Sequence, residues 1–189
     1  MLNDSKIEVA NMALKRPSMW LKTGICAIAI YVFAVSAFFA SPSAQARELV
    51  TMEKSYPLGA IVIINSERRL YYSLGNGMAL RYKVAIGKEG FSWAGESFVQ
   101  SKRKNPGWSP PPAMRRRSPY LPVYMPPGPK NPLGVRAIYL GWSEYRIHGT
   151  IDPNSIGRAA SSGCIRMLNS DVTDLYERVH IGAPVYVIR

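Results

Sequence analysis

Ile61-Val62-Ile63-Ile64, Arg69-Leu70-Tyr71-Tyr72 and Leu80-Arg81-Tyr82-Lys83-Val84-Ala85-Ile86 are three short runs rich in β-branched and aromatic residues, a composition that suits a packed, pleated surface. Asn65-Ser66-Glu67 separates the first two runs and Gly75-Asn76-Gly77 the last two. An Asn-Gly pair tolerates the positive φ angles that a tight hairpin needs. The stretch from Ile61 to Ile86 therefore predicts an antiparallel meander.

Toward the C-terminus, Val135 to Leu140 and Tyr145 to His148 read as two further strands, the second ending on a histidine. A helix is predicted from Asp171 to His180, started at Asn169 or Ser170. Val172, Leu175, Tyr176 and Val179 share one face of it and Gly182 lies just past its end. Pro184 to Ile188 closes as a strand, and no internal repeat is visible. The fold class that follows is mainly β, a sandwich or open barrel with one packed helix near the C-terminus.

The N-terminus has a different character. Lys6, Lys15, Arg16 and Lys22 precede an apolar run from Gly24 to Ala40, then Ser41-Pro42-Ser43 and Ala44-Gln45-Ala46. Basic region, hydrophobic region and small-residue cleavage site in that order describe a secretory signal over residues 1–46. The apolar run sits at the short edge of the roughly 17–25 residues that span a bilayer, so an uncleaved anchor is the alternative and the one route to a membrane contact. Residues 47–60 then form a short leader and 61–189 a single folded domain.

Of 24 basic and 12 acidic residues, four and two fall in the first 46, leaving 20 against 10 in the remainder. Such a surface is drawn to polyanions. Export excludes nucleic acid as the natural partner and favours cell-wall polymer or anionic lipid. Cys26 would leave with the signal, so Cys164 stands alone in an oxidising compartment, where an unpaired thiol needs a reason.

Residues 101–132 hold ten of the 15 prolines, and Ser97 to Ser143 carries eight Lys or Arg and no Asp or Glu. Proline density excludes regular helix and central strand here. The segment is either a solvated basic loop or the wall of a groove for an anionic substrate; Trp108, Tyr120 and Tyr124 favour the wall, because a merely solvated loop has little use for large aromatics.

Ile147-His148-Gly149-Thr150 and Ser161-Ser162-Gly163-Cys164-Ile165-Arg166 carry the chemistry. A cysteine attacks a carbonyl as thiolate, and an adjacent imidazole takes its proton. His148 is the partner. The other histidine, His180, ends the predicted helix, where an imidazole suits the terminal carbonyls. Gly163, directly before the nucleophile, lets backbone N–H groups turn toward a developing oxyanion. Ala159, Ala160, Ser161 and Ser162 leave room for substrate. Arg166 offers a planar fork for a carboxylate or ties its loop to the domain. A buried structural cysteine beside a core histidine is the reading without chemistry.

At these residues the chain resembles the L,D-transpeptidase catalytic domain, or YkuD domain, over Ile61 to Ile188. His148-Gly149-Thr150 is similar to the family's histidine motif and residues 161–166 to its Ser-His-Gly-Cys-hydrophobic-Arg signature. Trp108 with Pro110-Pro111, Gly128-Pro129-Lys130-Asn131-Pro132-Leu133-Gly134 and Gly182-Ala183-Pro184-Val185 also fit. Two positions depart from the pattern: Ser162 stands where the family has histidine, and Trp93-Ala94-Gly95-Glu96 replaces a Thr-Pro-x-Gly turn.

The resemblance implies an exported acyltransferase of the periplasm or cell wall that forms a thioester on Cys164 from a peptidoglycan tetrapeptide stem. The acceptor would be a second stem, a wall-anchored protein, or water. His148 would be general base and acid, Gly163 would supply the oxyanion hole, and Arg166, Ser161, Ser162, Gly149 and Trp108 would meet the substrate. No cofactor or metal is implied, since one Cys and one His fall short of the ligands a catalytic zinc needs. Ser162 keeps open a non-catalytic peptidoglycan-binding module.

Overall fold

The structure, a computed structural model, describes residues 47–141 and 144–189. The signal-sequence reading falls on residues 1–46 and so lies outside the described residues. No helix among the described residues is long and apolar enough to cross a membrane.

The meander forms as the sequence predicts. Strands β2 (Ile61–Ile64), β3 (Arg69–Gly75) and β4 (Met78–Lys83) pair antiparallel in sequence. At the second turn Asn76 and Gly77 have φ of 51° and 73°, the two positive values that a right-twisting two-residue hairpin requires. Strand β1 (Glu48–Thr51) adds to the free edge of β4, so residues 47–60 contribute to the sheet. The last predicted run, Leu80 to Ile86, is not one strand. It breaks after Lys83, and β5 (Ile86–Gly87) leaves to pair with β9 (Ala159–Ser161).

Strand β6 (Gly95–Lys104) connects the two halves of the molecule. Its first part pairs with β11 (Pro184–Ile188), which runs parallel to β2. From Val99 on, through an irregularity between Val99 and Ser101, it pairs with β7 (Arg136–Leu140). Beyond β7 lie β8 (Arg146–His148) and β10 (Ile165–Arg166). The ladder order is β1-β4-β3-β2-β11-β6-β7-β8-β10.

One core joins these halves. Ile61 and Ile63 of β2, Leu70 of β3, Ile138 of β7, Ile147 of β8 and Ile165 of β10 belong to a single buried cluster with Val172 and Leu175. Val62, Tyr71 and Ala79 point the other way and close over Tyr56 and Ala60. This explains why β2 reads as an unbroken apolar run: it is covered on both faces. Each large side chain so buried contributes about 1.5–3 kcal/mol.

Two further expectations need correction. The acid-free segment does contain a central strand, because its prolines begin only at Pro106, after β6 has ended at Lys104. It also contains a short helix, α1 (Pro112–Arg117), whose proline sits in the first turn, where its missing N–H costs nothing. The main helix, α2, spans Asn169–Arg178 and not Asp171 to His180. Val179 is already extended, and the end is held by side chains: Tyr72 Oη donates to the Arg178 carbonyl at 3.1 Å and Lys102 Nζ to the Val179 carbonyl at 2.6 Å. The face predicted for the helix is the buried one.

Candidate active site

Parallel pairing of β8 with β10 sets Ile147 beside Ile165 and His148 beside Arg166. One step back along that register brings Cys164 level with Arg146. Side chains alternate along a strand, so Arg146 and His148 share a face with Cys164 and Arg166. All four line one cavity of about 240 Å³.

His148 is 4% exposed. Its Nδ1 lies 2.6 Å from the carbonyl oxygen of Gly149, and because a carbonyl only accepts, Nδ1 carries the proton and Nε2 the lone pair. Burial pushes the His148 pKa down to about 3, the nearby Arg166 and Arg146 guanidiniums push in the same direction, and the Gly149 carbonyl opposes them. The ring is thus neutral at pH 7 and able to accept a proton.

The carbonyl that orients His148 is itself anchored. Asn169 Oδ1 accepts from the N–H of Thr150 at 3.2 Å and of Val135 at 3.3 Å, while its Nδ2 donates to the Thr150 carbonyl at 3.0 Å. The Gly149 N–H donates to the Arg136 carbonyl. Gly149 therefore holds His148 and does not line the cavity.

Cys164 is partly exposed and unpaired. The turn before it is stapled by Ser161, whose Oγ accepts from the Gly163 N–H at 3.1 Å and donates to the Cys164 carbonyl at 2.5 Å. Gly163 has a φ of 112°, and a Cβ there would lie 2.2 Å from the Tyr145 ring. Both the angle and the contact demand glycine. Tyr145 stacks on Trp93 with ring centroids 5.2 Å apart, and Trp93 Nε1 donates to the Gly163 carbonyl at 3.1 Å. The residue that departs from the usual Thr-Pro-x-Gly turn thus clamps the glycine before Cys164. The Gly163 N–H is committed to Ser161 and so is not free to meet an oxyanion.

Ser161, Ser162 and Trp108 also line the cavity, so of the candidate residues only the two glycines do not. The proline-rich segment supplies one wall through Pro111, Ala113, Met114 and Arg117. Asn131, 1% exposed, fastens that segment by donating to the carbonyls of Pro106 and Pro126, both at 3.0 Å. Tyr120, 85% exposed, is outside the wall, and Tyr124 packs against Gly107. Arg146 and Tyr145 are site residues that sequence reading did not single out, and Trp93 and Asn169 entered it only as part of a departing turn and as a helix start. His180 is exposed, packs its ring near Gly59 and does not line the cavity. No group of three His, Cys, Asp or Glu able to hold a metal occurs among the described residues.

The chain has relatives among known proteins. The chain is 37% identical over 137 residues to a protein of Escherichia coli named "Probable L,D-transpeptidase ErfK/SrfK", covering 68% of this chain and 43% of that one. It is 36% identical, again over 137 residues, to "Probable L,D-transpeptidase YbiS" of the same species, covering 68% and 44%. The chain thus spans less than half the length of these relatives. Two solved structures share its fold. One is L,D-transpeptidase 3 of Mycobacterium tuberculosis, with a TM-score of 0.55 at 18% identity, over 70% of this chain and 61% of that one. The other is the catalytic domain of the Enterococcus faecium L,D-transpeptidase, with a TM-score of 0.54 at 20% identity, over 71% and 99%. The family model for the L,D-transpeptidase catalytic domain, YkuD, matches residues 59–187, and the chain belongs to that family.

Proposed function

We propose that the chain is a peptidoglycan L,D-transpeptidase whose nucleophile is Cys164 and whose general base and acid is His148. The observation that carries this reading is a neutral, tautomer-fixed imidazole lining the same cavity as a free thiol. His148 Nε2 takes the Cys164 proton as sulfur attacks the carbonyl preceding the terminal D-alanine of a tetrapeptide stem. The S–C bond forms, and the C–N bond breaks as His148 returns the proton to the departing amine.

An acceptor amine from a second stem or a wall-anchored protein then gives its proton to His148 and attacks the thioester. The C–S bond breaks and sulfur recovers the proton. Ser161, with both its hydrogen bonds inside the turn, acts as a staple; Ser162, Trp108 and Arg166 are the substrate contacts. Residues 47–189, with β1 completing the sheet, form the catalytic domain, the N-terminal 46 residues an export signal or anchor, and the place of action is the periplasm or cell wall.

The test is incubation of residues 47–189 with tetrapeptide-rich peptidoglycan, followed by muropeptide analysis. Release of D-alanine with new 3→3 crosslinks is expected. Wall binding without D-alanine release would favour a non-catalytic module, and release without crosslinks would make water the acceptor.

A further inference from the structure

We infer that Arg146 reads the terminal carboxylate of the acyl donor and so selects stems that end in a free D-amino acid; this rests on the acyl-transfer reading of Cys164. Arg146 Nη1 lies 4.0 Å from Cys164 Sγ, and its Nε is buried with no hydrogen-bond partner. The guanidinium stacks over Tyr139, its carbon 5.4 Å from the ring centroid, and forms no ion pair with any carboxylate among the described residues. A cation held in place without a carboxylate partner, lining a cavity, is prepared for an anion that arrives with a ligand.

Substrate chemistry says which anion. In a stem that ends in D-alanine, the carboxylate is separated from the scissile nitrogen by one carbon atom. When sulfur approaches the carbonyl carbon, that carboxylate must lie within a few ångströms of the sulfur. Arg146 is held there by the β8–β10 register, with a planar fork able to grip both oxygens. Arg117 and Arg166 line the same cavity from α1 and β10 and remain for carboxylates farther along the stem. A donor extended by one more residue would put an amide where Arg146 requires a charge.

The experiment compares two soluble tetrapeptides, one ending in D-alanine and one in D-alaninamide, by single-turnover thioester formation on Cys164 followed by intact mass. The wild-type chain should prefer the carboxylate by roughly 10- to 100-fold, the scale of a charge-assisted hydrogen-bonded pair. In Arg146→Gln that preference should collapse toward one. In Arg146→Lys, which keeps the charge but loses the fork and guards against a folding defect, it should be intermediate. An unchanged preference in Arg146→Gln overturns the inference. So does equal loss on both donors with a shifted pH profile of Cys164 alkylation by iodoacetamide, which would make the arginine a thiolate stabiliser. Failure of the wild type to form a thioester from either donor, with alkylation intact, would instead defeat the acyl-transfer reading itself.

Discussion

The β8–β10 segment and the proline-rich wall face the same cavity but are held in different ways. Cys164 and His148 are fixed by a backbone ladder, by the Ser161 and Asn169 side chains and by the Trp93–Tyr145 stack. The wall has two backbone hydrogen bonds between Trp108 and Met125, the Asn131 staple, and a six-residue helix with no buried side chain. Reacting groups need geometry held to a fraction of an ångström, whereas a surface that meets a polymer needs reach and charge. Substitutions in the first region should therefore change the rate of acylation, and substitutions in the second should change binding of the polymer.

The largest effect expected is at the nucleophile. A carbapenem presents a strained carbonyl in place of the stem, and intact mass spectrometry should show one adduct on the wild-type chain and none on Cys164→Ala. An adduct that persists in Cys164→Ala moves the nucleophile elsewhere and removes the basis of the comparison.

His148→Ala should slow single-turnover acylation by roughly 10²–10⁴-fold, the usual contribution of a general acid–base group. Because the folded pKa of His148 is lowered to about 3, its protonation should not produce an acid limb near pH 6.5 in the wild type. The same shift makes the unfolded chain bind more protons between about pH 6.5 and pH 3. His148 should thus cost the fold stability progressively as pH falls through that window. Denaturant titrations of wild type and His148→Gln across it would measure the difference, and equal slopes would show that His148 is not held neutral.

Trp93→Phe keeps the stack on Tyr145 but removes the hydrogen bond to the Gly163 carbonyl. A net hydrogen bond is worth about 0.5–1.5 kcal/mol, so acylation should slow roughly 2- to 10-fold through misplacement of the sulfur. Wild-type acylation in Trp93→Phe would show that Ser161 alone fixes the turn. In the wall, neutralising Arg115 and Arg116, which do not line the cavity, should weaken the salt-sensitive part of peptidoglycan binding and spare turnover of short stems. Arg117 is left in place because it lines the cavity. Equal loss on polymer and short stem would place these arginines in the catalytic half of the comparison.

How much of this was legible in the sequence follows the same division. The meander, the buried face of α2 and the strand that ends at His148 depend on local periodicity, and they can be read from a few adjacent residues. Cys164, His148 and the glycine between Ser162 and Cys164 belong to short motifs. Arg146 is different: on a strand an arginine reads as a solvent-facing residue until pairing with β10 turns it toward the cavity. Trp93 lies 70 positions from Gly163 and Asn169 lies 34 from Val135, so no local pattern announces either contact. Strand β6 was hidden because its charged residues, Lys102, Arg103 and Lys104, merge with the basic loop that follows.

The smallest effect expected is at Ser162, where the chain departs from the family signature. Ser162 lines the cavity, but the hydrogen bonds that shape the nucleophile turn run through Ser161, its neighbour. His148 has its tautomer set by Gly149 and needs no second imidazole. Ser162→Ala should therefore change acylation less than Trp93→Phe does, and Ser162→His should be tolerated because the site is a cavity wall and not a packed core. Measuring thioester formation across pH for both variants distinguishes a wall residue from a relay. If Ser162→Ala, still folded, fell as far as His148→Ala, the hydroxyl would belong to the proton path. The catalytic half of the molecule would then extend one residue further into the turn than the Ser161 staple implies.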